Sequence, residues 1–217
     1  MILTRTHLNV RRQGAKKLLG SPQAMHAAIL SGFTPGVDPG RPLWRVDPDD
    51  PLRPTLYILS EHRPDLVHLE EQAGWPSQPT TQSRSYDPLL EGLQPGQTWA
   101  FRLRANPTHR AAIPGRPRED GRSKVVAHVT VAQQTGWFHQ RAPMMGVDLG
   151  PVDEPTFHVT AREAVTFKRG GMQVTLGAAV FEGVLTVVDP LALRTSLVGG
   201  IGRAKAYGCG LMTLERP

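Results

Sequence analysis

The sequence predicts an α+β protein built as two tandem ferredoxin-like (RRM-like) βαββαβ domains, residues 1–106 and 107–217. Three observations carry this. The first half reads strand, helix, strand, strand, helix, strand. The second half is a weaker echo of the same order. Between them, residues 107–122 are rich in Pro, Gly and charge and read as a linker. No repeat at the level of residues relates the halves, so element order alone supports the tandem.

Residues 2–10 read as a strand ending near a basic loop with Arg11, Arg12, Lys16 and Lys17. Ser21-Pro22 is a helix start, an N-cap with proline at the first helical position. Met25, Ala28, Ile29, Gly32 and Phe33 then follow helical spacing. Leu43–Val46 and Thr55–Ser60 are short strands. Pro64-Asp65 opens a helix that runs to about Ala73, and residues 74–96, with prolines among Ser, Thr and Gln, read as loop. Gln97–Ala105 alternates, with Trp99, Phe101 and Leu103 on one face and Arg102 and Arg104 on the other. It is expected to close the first domain. In the second half, Ser123–Thr135 reads as a helix. Thr156–Lys168 and Met172–Phe181 are strands joined at Arg169-Gly170-Gly171, and Val184–Val188 is another. Asp189-Pro190 caps a helix to about Val198, and a strand at Leu211–Leu214 ends the fold.

At 217 residues the chain has the length for a substantial core, and a mean hydropathy of −0.29 fits a soluble globular protein. No run of about 18 apolar residues is present to span a bilayer. The opening Met-Ile-Leu-Thr-Arg-Thr lacks the order of a secretory signal, and Cys209, the only cysteine, allows no internal disulfide. A cytoplasmic protein without membrane contact is expected. Lys and Arg number 25 against 19 Asp and Glu, with pI ≈ 10.0. Such charge favours a polyanionic partner, since each neutralised phosphate releases counterions.

The most informative stretch runs from Gly199 through Gly200-Ile201-Gly202-Arg203-Ala204-Lys205-Ala206-Tyr207-Gly208-Cys209-Gly210. Glycines let backbone lie directly against a ligand, and Arg203 and Lys205 add cations. The run lacks the Gly-Lys-Ser/Thr of a P-loop and the third glycine of a dinucleotide fingerprint. Phosphate contact and a packing turn with solvated charges both fit it. Of eight histidines, none belongs to a cluster with metal-ligand spacing, so neither metal nor cofactor is expected. His26 falls at the edge of the Met25/Ala28/Ile29 stripe, half-sheltered in the first turns of a helix.

The glycine loop resembles that of the CasE family, the CRISPR RNA-processing endoribonucleases of type I-E Cascade. Phe101-Arg102-Leu103-Arg104-Ala105-Asn106-Pro107, Phe181-Glu182-Gly183-Val184-Leu185 and Ser21-Pro22-x-x-Met25-His26 resemble the family in the same order. The resemblance implies two ferredoxin-like domains that bind the repeat stem-loop of precursor CRISPR RNA. It implies cleavage without metal on the 3′ side of the stem, and retention of the mature guide beside other Cascade subunits; a monomer is expected when free. By position it makes His26 the catalytic histidine, with Gly200, Gly202, Arg203 and Lys205 at backbone phosphate. Arg162, Lys168 and Arg169 correspond to a basic hairpin that enters the RNA groove. Some relatives carry a tyrosine three residues before the histidine, where this chain has Gln23, which can orient but cannot exchange a proton near neutral pH.

Metal-free cleavage proceeds by attack of a 2′-OH on the adjacent phosphorus, leaving a 2′,3′-cyclic phosphate and a 5′-OH. It needs proton transfers and cations that offset phosphorane charge, and general acid is the preferred role for His26. The rival readings are a non-catalytic tandem RRM-like RNA-binding subunit and a small-molecule nucleotide enzyme. The former is separated by whether His26 and the glycine loop face one groove.

Overall fold

In the computed structural model, which describes residues 1–112 and 123–217, the first half is a four-stranded antiparallel sheet backed by helices. Strands β1 (Ile2–His7), β2 (Leu43–Asp47), β3 (Thr55–Ser60) and β4 (Gln82–Ser85) lie in the order β2-β3-β1-β4. Register is set by pairs such as Leu3↔Leu59 and Leu43↔Leu59. Helices α1 (Gln13–Leu19), α2 (Pro22–Leu30) and α3 (Val67–Ala73) cover one face, and α4 (Asp87–Glu91) follows β4. Leu8, Leu18, Met25, Ile29, Ile58 and Leu69 form one core there, none more than 5% exposed. Burial of side chains of this kind supplies roughly 1.5–3 kcal/mol each.

The second half is a larger antiparallel sheet of β5 (Thr98–Ala105), β8 (Val147–Asp148), β9 (Phe157–Arg169), β10 (Met172–Val187) and β11 (Met212–Glu215). Its order is β11-β5-β10-β8, with β9 also paired along β10. Helices α5 (Val131–His139), α6 (Ala142–Met145) and α7 (Pro190–Gly199) complete it, and β6 (Thr108–Ala112) pairs with β7 (Ser123–Ala127) as a separate ribbon. Phe101, Phe138, Phe157 and Phe181 build its centre, with ring centroids 4.8–6.4 Å apart. Leu43 and Leu59 of the first half join that core.

Several elements differ from the sequence reading. Gln97–Ala105, expected to close the first domain, instead pairs with β10 and β11 in the other sheet, and β4 closes the first sheet. Residues 74–96, read as loop, supply both β4 and α4. The basic loop after β1 is largely helix α1, held inward by Ala15 and Leu18. Ser123–Ala127 is strand rather than helix; α5 begins only after Thr130, whose capping box with Gln133 marks the start. Met172–Phe181 and Val184–Val188 merge into the single strand β10 across a bulge at Val180/Phe181. In the linker, residues 113–122 lie outside the described residues, while residues 108–112 form β6.

One buried ion pair joins the halves. Arg45, 2% exposed, binds Asp47 through two nitrogens at 2.6 and 2.7 Å. Its remaining donors reach across to the Arg102 carbonyl (2.7 Å), the Leu211 carbonyl (3.0 Å) and Thr213 Oγ1 (2.9 Å). A charge so deeply buried is tolerated only because every face of the guanidinium finds an acceptor.

Candidate nucleic-acid interface

Helix α2 is built as its sequence dictates. Ser21 Oγ accepts the Ala24 N–H at 3.2 Å, Pro22 follows at the first helical position, and Met25 and Ile29 point into the core. That rotation leaves His26 half-buried at the margin. Its Nδ1 is buried without a hydrogen-bond partner among the described residues, leaving Nε2 to meet a ligand. Burial lowers its pKa below the usual 6.5, so the ring is neutral at pH 7. Gln23 stands one turn earlier and is exposed.

The glycine loop follows α7, which is capped by Asp189 Oδ1 accepting from Leu191 and Ala192. Two of its glycines are required by close approach. A Cβ on Gly208, at φ 76°, would meet the Trp44 ring at 2.7 Å, and one on Gly202, at φ 80°, would meet the Trp137 ring at 3.1 Å. Gly200 packs on Leu43 and the stem of Lys205. The loop is closed by Ile201 N–H to the Gly210 carbonyl (2.9 Å) and clamped from below by Arg104. That guanidinium donates to the carbonyls of Tyr207 (3.1 Å) and Gly208 (3.0 Å) while its Nε binds Glu163 at 2.6 Å. The glycines thus serve packing, and the cations between them are turned outward.

Those cations and His26 line one cleft of about 540 Å³. α2 supplies His26; the loop supplies Gly202, Arg203, Lys205 and Tyr207; the turn after α2 supplies Arg41. None of the lining residues is acidic. Arg203 and Arg41 are exposed and make no ion pair or hydrogen bond among the described residues. Lys205 donates to the Gly199 carbonyl, and burial, followed by the charge of Arg41, lowers its pKa. Positive charge so concentrated in an unpaired cleft attracts an anion.

Gln23 and Gly200 flank this cleft without lining it. Arg162 is elsewhere, on β9, donating to the Val129 carbonyl at 3.1 Å. Lys168 and Arg169 end β9 at the hairpin tip, where Gly170 and Gly171 turn with φ 52° and 81°; the side chains of that pair lie outside the described residues. Two residues went unassigned in the sequence reading. Arg41 sits in a Gly/Pro-rich turn with no distinguishing pattern, and Tyr207 was visible inside the loop but had no local signal tying it to His26. Among the described residues no group of three or more His, Cys, Asp and Glu is placed to hold a metal ion, and no helix is long and apolar enough to cross a membrane.

The family model described as CRISPR associated protein matches residues 1–216. The chain is 31% identical over 225 residues to the CRISPR-associated endoribonuclease Cse3 of Thermus thermophilus, covering 99% of each. To the CRISPR system Cascade subunit CasE of Escherichia coli it is 31% identical over 128 residues, 56% of this chain and 60% of that one. Among solved structures it is similar to Thermus thermophilus Cse3 bound to an RNA representing a pre-cleavage complex, with TM-score 0.78 and 29% identity over 99% of this chain and 98% of that one. A match along nearly the whole chain, together with full-length similarity in sequence and in fold, makes this protein a member of the CRISPR-associated protein family.

Proposed function

We propose that this chain is a metal-independent endoribonuclease that cleaves precursor CRISPR RNA on the 3′ side of the repeat stem-loop and stays bound to the mature guide as a Cascade subunit. The observation that carries this reading is the shared cleft: His26 from α2 faces Arg203 and Lys205 from the glycine loop. An imidazole opposite unpaired cations is what metal-free cleavage of a phosphodiester requires. We read each half as a ferredoxin-like domain. The first is β1-α2-β2-β3-α3-β4 and the second β5-α5-β9-β10-α7-β11. The fourth-first-third-second strand order within each supports this, and the boundary then falls between α4 and β5 rather than at residue 106.

In the reaction, the 2′-OH releases its proton to solvent water as its oxygen bonds the adjacent phosphorus, and the bond from phosphorus to the 5′-oxygen breaks. Arg41, Arg203 and Lys205 offset the added charge on the phosphorane. His26, neutral in the free protein, takes up a proton as RNA phosphates enter the cleft and oppose its desolvation, and it delivers that proton to the leaving oxygen. Gln23, one turn away, orients the sugar or phosphate through its amide. The hairpin residues Arg162, Lys168 and Arg169 are assigned to stem contacts outside the cleft, and the protein is cytoplasmic and monomeric when free. Incubating the purified protein with its host's repeat RNA in excess EDTA and mapping the ends tests the reading. A single cut 3′ of the stem, leaving a 2′,3′-cyclic phosphate, is expected. Binding without cleavage would leave the non-catalytic RNA-binding reading, and 3′-OH products that require Mg²⁺ would overturn the mechanism.

A further inference from the structure

The attacking 2′-OH needs an acceptor for its hydrogen, and the side chains lining the cleft offer few. Arg41, Arg203 and Lys205 donate hydrogen bonds and accept none. His26 is committed to the leaving oxygen in the reaction above. That leaves Tyr207, whose Oη is the only side-chain oxygen among the residues lining the cleft, and a hydroxyl both accepts and donates. Several loop carbonyls are already engaged, that of Ala204 by the Tyr207 N–H (2.9 Å) and those of Tyr207 and Gly208 by Arg104. Gln23 flanks the cleft without lining it.

Tyr207 is also held in place. It ends a short 3₁₀ turn, Lys205–Tyr207, that packs against α2. Its carbonyl is fixed to Arg104 at 3.1 Å, and its ring leans on Phe167 of β9 with centroids 4.7 Å apart. The hydroxyl makes no hydrogen bond among the described residues and, unlike the buried Tyr86 hydroxyl, is accessible. We infer that Tyr207 is a further catalytic residue, its Oη accepting the hydrogen bond of the attacking 2′-OH. This rests on the endoribonuclease reading above. As the 2′-oxygen bonds phosphorus, its proton passes to Oη while the phenol's own proton passes to water. The tyrosine ends unchanged and the proton still ends on solvent. His26 serves the 5′-oxygen from α2 and Tyr207 the 2′-oxygen from the loop. Two groups on separate elements suit an in-line attack, in which those oxygens stand on opposite sides of phosphorus.

The test is a binding cycle that needs no cleavage. Affinity is measured for repeat RNA with a 2′-hydroxyl or a 2′-deoxy sugar at the nucleotide before the mapped cut, in His26→Ala protein with and without Tyr207→Phe. The deoxy sugar should weaken binding by about 2- to 12-fold where Tyr207 is present, the range for one hydrogen bond, and be silent where it is replaced. The substitution keeps a ring against Phe167, and a thermal melt beside each measurement reports folding. With His26 intact, Tyr207→Phe should slow single-turnover cleavage by about 10²-fold, the low end for one proton-transfer group, and leave the fall of rate with rising pH in place. Equal affinity for the two RNAs in the His26→Ala protein overturns the contact, whether or not the double variant folds. So does a deoxy effect that survives in folded protein carrying Tyr207→Phe, or cleavage by Tyr207→Phe within twofold of wild type. Wild-type protein that does not cut the repeat overturns the endoribonuclease reading, and the role of Tyr207 with it.

Discussion

Replacing Arg41 and Arg203 together with alanine isolates the electrostatic part of RNA binding. Both are exposed, line the cleft beside His26, and have no ion-pair partner among the described residues, so their loss leaves no buried charge. Each phosphate contact contributes about 0.9 to the slope of log affinity against log salt on a duplex and about 0.7 on a single strand. Losing two therefore flattens the slope by about 1.4–1.8. Across a fourfold rise in salt, the double variant should lose about 7- to 12-fold less affinity than wild type. Preference for the repeat over a scrambled stem should change little, because phosphate contacts position RNA without reading bases. The assay is equilibrium binding from 50 to 200 mM salt beside a thermal melt. A normally folded double variant with an unaltered salt slope would refute the placement of RNA in this cleft.

Three further outcomes follow from the same geometry. His26→Ala should slow single-turnover cleavage by roughly 10²–10⁴-fold with RNA affinity nearly intact, and a rate within twofold of wild type would remove the histidine from the chemistry. If His26 is the acid, kcat/KM should fall as pH rises, with a midpoint below 6.5 because burial lowers its pKa in the free protein; kcat/KM rising with pH through that range would make it the base. Asp47→Ala strips the buried Arg45 of its carboxylate and should cost about 3–5 kcal/mol in urea unfolding, whereas a loss under 1 kcal/mol would show that Arg45 finds other compensation.

Much of the fold was legible where a local signal exists. Alternation marked β5, short strands were read at β2 and β3, and caps at Ser21 and Asp189 marked α2 and α7. The failures are equally physical. β4, with sequence Gln-Ser-Arg-Ser, is a polar edge strand held by backbone pairing to β1, so it carries no apolar alternation. The assignment of β5 to the second sheet depends on Leu103 pairing with both Phe181 and Met212, contacts no local window contains. Val125, Val126, Val129 and Val131 run through a strand and into a helix, and β-branched residues at that spacing fit either. Of the candidate site, His26, Gly202, Arg203 and Lys205 share a cleft; Arg41 and Tyr207 reach it through tertiary folding, which spacing along the chain does not encode.

The bridge at Arg45 bears on release rather than on binding. Its three bonds, to the Arg102 carbonyl of β5, the Leu211 carbonyl just before β11 and Thr213 of β11, tie the half that carries α2 to the half that carries the glycine loop. A cleft that such ties kept from closing on a substrate would have no strain to discharge when the bond is cut. Whatever part of the RNA lies upstream of the break makes the same contacts afterwards as before. Uniform affinity of this kind lowers the free energy of product as much as of substrate, which slows turnover to the rate of dissociation.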